Sequence, residues 1–96
     1  MKFLPIFIVQ SVTRTGCDLF DTSMQGEALE SVAADIMRGD FHVDEIVGVY
    51  RVELGRAVED VTEHVIDELV RRVRRGEQPS DAAKSLLMRD VRGMAA

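Results

Sequence analysis

The stretch from Asp44 to Gly76, DEIVGVYRVELGRAVEDVTEHVIDELVRRVRRG, reads as a strand, a reversal and a capped helix in direct succession. Ile46, Tyr50, Val52 and Leu54 share one parity, while Val47 and Val49 fall with Arg51 and Glu53 on the other. Successive strand side chains point to opposite faces, so one face is expected to be apolar and the other mixed. Gly48 weakens the run and marks a bulge or the close approach of another element. Leu54-Gly55-Arg56 supplies a short connection whose glycine can take a positive φ, and Ala57 to Glu59 reads as the returning strand. Asp60-Val61-Thr62-Glu63 is a helix start in which Asp60 accepts from first-turn N–H groups and Glu63 reaches back. Val61, Val65, Ile66, Leu69, Val70 and Val73 form one apolar stripe. Acids fill the first half of this helix and arginines its last turns, as the helix dipole favours, with Asp67–Arg71 and Glu68–Arg72 as i,i+4 pairs. Gly76 is placed to end it.

Upstream, Phe3 to Thr13 reads as a first strand with Ile6 and Ile8 on one side and Phe7 and Val9 on the other. Apolar residues on both faces imply a central strand, or a second face that meets helix three or another subunit. Arg14-Thr15-Gly16 is a turn and Asp18 to Asp21 a short return strand. Thr22 and Gln25 have capping-box spacing, so helix one is expected to start there and run to Arg38, burying Leu29, Val32, Ala33, Ile36 and Met37 before Gly39. Downstream, Gly76-Glu77-Gln78-Pro79 breaks the chain and Ser80 caps helix three, which offers Ala82, Ala83, Leu86, Leu87 and Val91 as its apolar side. Gly93 and the last residues are expected to fray.

The resulting expectation is an α+β fold in the order ββαββαα. A small antiparallel sheet of three to four strands carries helices one and two on one face, with helix three at the edge or in a dimer contact. A ferredoxin-like arrangement missing its last strand is the alternative. At 96 residues the chain makes one domain, burying roughly 60–65% of its unfolded surface. Its longest apolar run, Phe3 to Val9, is too short to span a bilayer, and Pro5 and Gln10-Ser11 argue against a signal peptide. One cysteine, Cys17, excludes an internal disulfide and fits a reducing cytoplasm.

Chemistry is sparse. Cys17 with His42 or His64 is the nucleophile–base combination on offer, but neighbouring acids raise a thiol's pKa and work against activation. His64 lies four residues from Asp60 and from Glu68, yet the cap and the ion pairs already account for those acids, so no metal or cofactor is expected. The carboxylate pairs Asp44-Glu45, Glu59-Asp60 and Asp67-Glu68 sit at strand ends or on an exposed helix face, where acid–base work has no pocket to separate their pKa values. Phosphate-loop, dinucleotide, nucleophile-elbow and zincin motifs are absent from the sequence. The chain is not expected to be an enzyme.

Charge is the clearest global feature. The net charge is −5, but residues 18–68 carry 14 acids and 3 bases, whereas residues 69–96 carry 7 bases and 3 acids. FDT (Phe20 to Thr22), a capped helix and then VYRVELGRAVEDVTEHV (Val49 to Val65) together resemble small accessory proteins of phages and mobile elements, anti-CRISPR proteins among them. The resemblance is one of size, charge and texture. It implies a compact acidic protein that acts by binding a larger effector and carries over no functional residue. The expected function is therefore a non-enzymatic protein–protein interaction module, an inhibitor or regulator of a nucleic-acid-handling complex. Its acidic surface would comprise Glu27, Glu30, Asp35, Glu63, Asp67 and Glu68. The alternative is a small nucleic-acid-binding transcriptional regulator using Arg71, Arg72, Arg74, Arg75, Lys84, Arg89 and Arg92. Phe7, Val9, Leu86, Leu87 and Val91 are the candidate dimer contact.

Overall fold

The computed structural model describes residues 5–12, 15–23, 28–39 and 45–95, with side chains through Met88. Seven elements follow the expected order: β1 (Ile6–Val12), β2 (Asp18–Thr22), α1 (Leu29–Arg38), β3 (Glu45–Val52), β4 (Glu59–Asp60), α2 (Thr62–Arg74) and α3 (Asp81–Ala95). The sheet is antiparallel throughout with strand order β2-β1-β3-β4. β1 is central, and β2 and β3, both antiparallel to it, run parallel to each other. The β2-α1-β3 connection thus crosses over β1 as a split βαβ unit, and the fold is α+β.

The first strand buries one face only. Phe7, Val9 and Ser11 are buried, whereas Ile6, Ile8, Gln10 and Val12 are half-buried on the side away from the helices. The alternation expected for β3 changes phase midway. Gln10 pairs with Gly48 but Ser11 with Ile46, so Val47 is an extra residue and the strand bulges. The bulge places Ile46 and Val49, three residues apart, on the same buried face. Tyr50 and Val52, expected beside Ile46, lie on the other. Tyr50 crosses over Gly48 and its hydroxyl donates to Gln10 Oε1 at 3.1 Å. Gly48 therefore marks both a bulge and a close approach. The returning strand is shorter and later than Ala57 to Glu59: only Glu59 and Asp60 pair, with Arg51 and Tyr50.

Thr22 does not cap a helix. It is the last residue of β2, opposite Ile8, and Ser23 continues the pairing by donating its N–H to Phe7 O at 2.8 Å. Ladder bonds hold the chain extended there against local capping. α1 begins at Leu29 behind Ala28, which offers no side-chain cap, and it buries Val32, Ala33, Ile36 and Met37. Gln25 lies outside the described residues. α2 begins at Thr62, whose N–H donates to Asp60 Oδ1 at 3.0 Å. It ends in a Schellman motif: Gly76 (φ 97°) donates to Val73 O and Glu77 to Arg72 O.

α3 lies along the β3 edge of the sheet and also packs into the core. Ala82, Ala83 and Leu86 are buried in the same cluster as Phe7, Val9, Ile46, Val49 and the stripes of α1 and α2. Ser85 Oγ accepts from Ile46 N–H at 3.1 Å, fastening α3 to β3. The helix runs on past Gly93 to Ala95. Ser80 joins two helices: its hydroxyl donates to Ile36 O at the end of α1 and accepts from Ala83 N–H at the start of α3. No described helix is long and apolar enough to cross a membrane.

Candidate protein-interaction surfaces

The six acids expected to share one surface are dispersed. Glu68 is buried, its side chain only 7% exposed, because it sits between two arginines: Arg71 Nη2 at 3.3 Å from Oε2 and Arg72 Nε at 3.4 Å from Oε1. The second approach has ion-pair distance without hydrogen-bond geometry, since Arg72 Nε makes no hydrogen bond. The solvated face expected for Glu68 is thus corrected to a buried anchor, and Arg71 takes Glu68 in place of Asp67. Asp35 is ion-paired with Arg38. Glu30 is exposed at the start of α1, but its carbonyl accepts from Arg72 Nη2 at 3.4 Å, which places it at the basic end of α2. Glu27 lies outside the described residues. What remains is a short strip: Glu63 and Asp67, four residues apart on the exposed side of α2, with Glu59 just ahead of them. None of these three has an ion-pair partner among the described residues.

The basic candidates divide in the same way. Arg72 is the most enclosed, with its side chain 20% exposed, and it links Glu68, Glu77 and the Glu30 carbonyl. Arg74 and Arg75 are exposed and without ion-pair partners among the described residues, and Lys84 is exposed on α3. The side chains of Arg89 and Arg92 lie outside the description. Asp60, read as a catalytic or metal candidate with His64 and Glu68, instead holds Thr62 through its N–H and its hydroxyl. His64 is exposed, His42 lies outside the described residues, and no metal-binding cluster occurs among those described. Cys17 is exposed in the β1–β2 connection, where it accepts from Thr15 Oγ1 at 3.7 Å.

The proposed dimer contact is corrected by burial. Phe7, Val9 and Leu86 are 3%, 1% and 0% exposed inside the chain's own core, so they have no surface to offer another copy. Leu87 packs against that core partly buried, and the side chain of Val91 is outside the description. Sequence reading missed the surface that is open. On the sheet face away from the helices, Ile8, Gln10, Tyr50 and Val52 are half-buried, and beside them Phe20 of β2 is 62% exposed. The available signal was Asp-Leu-Phe-Asp, an apolar pair bracketed by acids in a short strand.

Comparison with models of protein families, with characterised proteins and with solved structures gives no match.

Proposed function

We propose that the chain is a non-enzymatic protein-interaction module that inhibits or regulates a larger nucleic-acid-handling complex by presenting carboxylates to a basic partner surface. The observation that supports this reading is the strip Glu59, Glu63 and Asp67. These are exposed acids without neutralising partners among the described residues; Glu63 and Asp67 are held four residues apart by a helix anchored in the core, and Glu59 precedes them on β4. Carboxylates held in this way steer and orient a cationic partner, whereas acids absorbed in ion pairs do not. The test is capture by the tagged chain from extracts of its native host, followed by competition. The expected result is retention of a nucleic-acid-binding complex that is released by added DNA or RNA and lost with Glu63→Lys/Asp67→Lys. Equal capture by that double variant would sink the reading.

Arg74 and Arg75 favour a second reading, a nucleic-acid-binding regulator, because they are exposed and unneutralised among the described residues. Direct gel shifts at low salt that weaken steeply as salt rises, and that vanish with Arg74→Glu/Arg75→Glu, would decide for it.

A further inference from the structure

The two edges of the sheet are finished differently. On the outer side of β3, Ile46 N–H donates to Ser85 Oγ at 3.1 Å, Val49 N–H donates to Thr62 Oγ1 at 3.0 Å, and Val49 O accepts from Val61 N–H at 2.9 Å. Arg51 is paired with Glu59. That edge is sealed by hydroxyls of α2 and α3 and by β4.

The opposite edge is β2. Ser23 N–H donates to Phe7 O and Phe7 N–H donates to Ser23 Oγ, both at 2.8 Å, so Phe7 turns its main-chain groups towards β2. Antiparallel alternation then puts the ladder bonds at Val9–Asp21 and Ser11–Leu19. Asp18, Phe20 and Thr22 turn their N–H and C=O groups outward, where the described residues offer no partner. All five residues of β2 are exposed. Natural sheet edges are usually blocked by proline, a bulge, a cover or charge. β2 has no proline, pairs in unbroken register, and is not covered by any described residue. Its one device is charge, Asp18 and Asp21, neither ion-paired among the described residues. Carboxylates repel an acidic strand and attract a cationic one. A second copy is disfavoured because antiparallel β2–β2 pairing would gather four carboxylates on one short edge of a chain whose net charge is already −5.

We infer that β2 is a docking edge for an extended segment of a partner protein in which cationic and apolar residues alternate. The segment adds as a fifth strand. It bonds the outward groups of Asp18, Phe20 and Thr22, lays apolar side chains beside Phe20 on one face, and sets cationic ones near Asp21 on the other. From the proposed function this takes only that the partner is a protein; the edge is separate from Glu63 and Asp67.

The experiment is amide hydrogen exchange on the full chain with the probe peptide Ac-KVKVKVK-NH2, with Ac-EVEVEVE-NH2 as control. At ten times the dissociation constant, the lysine peptide should slow exchange at Asp18, Phe20 and Thr22 about tenfold. The amides of Leu19 and Asp21, already in the ladder, should change little. Phe20→Pro removes an outward donor without touching a ladder bond and should abolish the effect. Asp18→Lys/Asp21→Lys keeps every main-chain group and should reverse the preference to the glutamate peptide. Glu63→Lys/Asp67→Lys should leave the effect intact, which separates failure of this inference from failure of the helical acidic strip. The inference is overturned by absence of protection with the lysine peptide, or by equal protection from both peptides. Protection of the same amides that grows with chain concentration alone would overturn it in favour of a second copy.

Discussion

At Gly48 the space for a side chain is already taken by Tyr50. A Cβ there would stand 2.9 Å from the tyrosine oxygen and 3.1 Å from Cζ, so any larger residue must push the ring off Gln10. Gly48→Ala is therefore expected to destabilise the chain by about 1 kcal/mol, the worth of one net hydrogen bond. That corresponds to a melting temperature lower by roughly 4–8 °C for a domain of this size. In a Tyr50→Ala background the same change should be neutral or stabilising, because alanine loses less backbone entropy than glycine in a strand. Thermal unfolding of the four chains of this cycle checks it. An equal penalty in both backgrounds would put the demand in the bulged backbone and not in the ring. Glu68 makes a related point. Its place in the sequence, between acids and arginines, predicts a solvated ion pair, but the inward side of α2 puts it under Arg71 and Arg72.

At the level of elements, the terminal groups of the helices are met mostly by neighbours in sequence, and at the end of α1 also by a residue distant in the chain. The Schellman end of α2 was legible because Gly76 and the arginines before it are local. The end of α1 was legible too, at Gly39 (φ 77°), whose N–H donates to Ile36 O at 3.1 Å; the added partner from Ser80 was not, its hydroxyl donating to Ile36 O and its N–H to Met37 O at 3.1 Å. One hydroxyl thus serves two helices. Ser80→Ala is expected to cost about 1 kcal/mol, chiefly the lost cap of α3, because Ile36 O keeps the Gly39 N–H as a donor at 3.1 Å, measured by urea unfolding. Ser80→Asp restores a good cap for α3 but sets an anion against the C-terminal carbonyls of α1, where the helix dipole is negative. It should therefore fail to rescue; full recovery would show that the bond to Ile36 carries no weight.

For the whole molecule, a single core gathers the buried face of β1 and β3 and the apolar stripes of three helices. Residues that looked spare for a dimer are thus committed to folding. Phe7→Ala and Leu86→Ala are each expected to lower stability by about 2–5 kcal/mol, large-to-small losses at fully packed sites. This is a large share of the 5–15 kcal/mol or so that holds a small domain together. Circular dichroism during urea unfolding should show it, with no change of mass in light scattering. A fall in mass at unchanged stability would return these residues to a subunit contact. The same packing leaves one sheet face and the β2 edge without cover among the described residues, and this sets where a partner has room to dock.

The sequence by itself determined the element order, the α2 helix with its charge gradient and glycine stop, and the buried stripes of α1 and α3. These depend on periodicity and neighbours within a few residues. Only the tertiary structure decided the phase change at Gly48, the loss of Thr22 to β2, the burial of Glu68, the double duty of Ser80 and the sealing of one sheet edge but not the other. Each of these rests on contacts between residues far apart in the chain, such as Ile46 with Ser85 or Phe7 with Ser23. Such contacts bring together groups whose local patterns carry no information about one another.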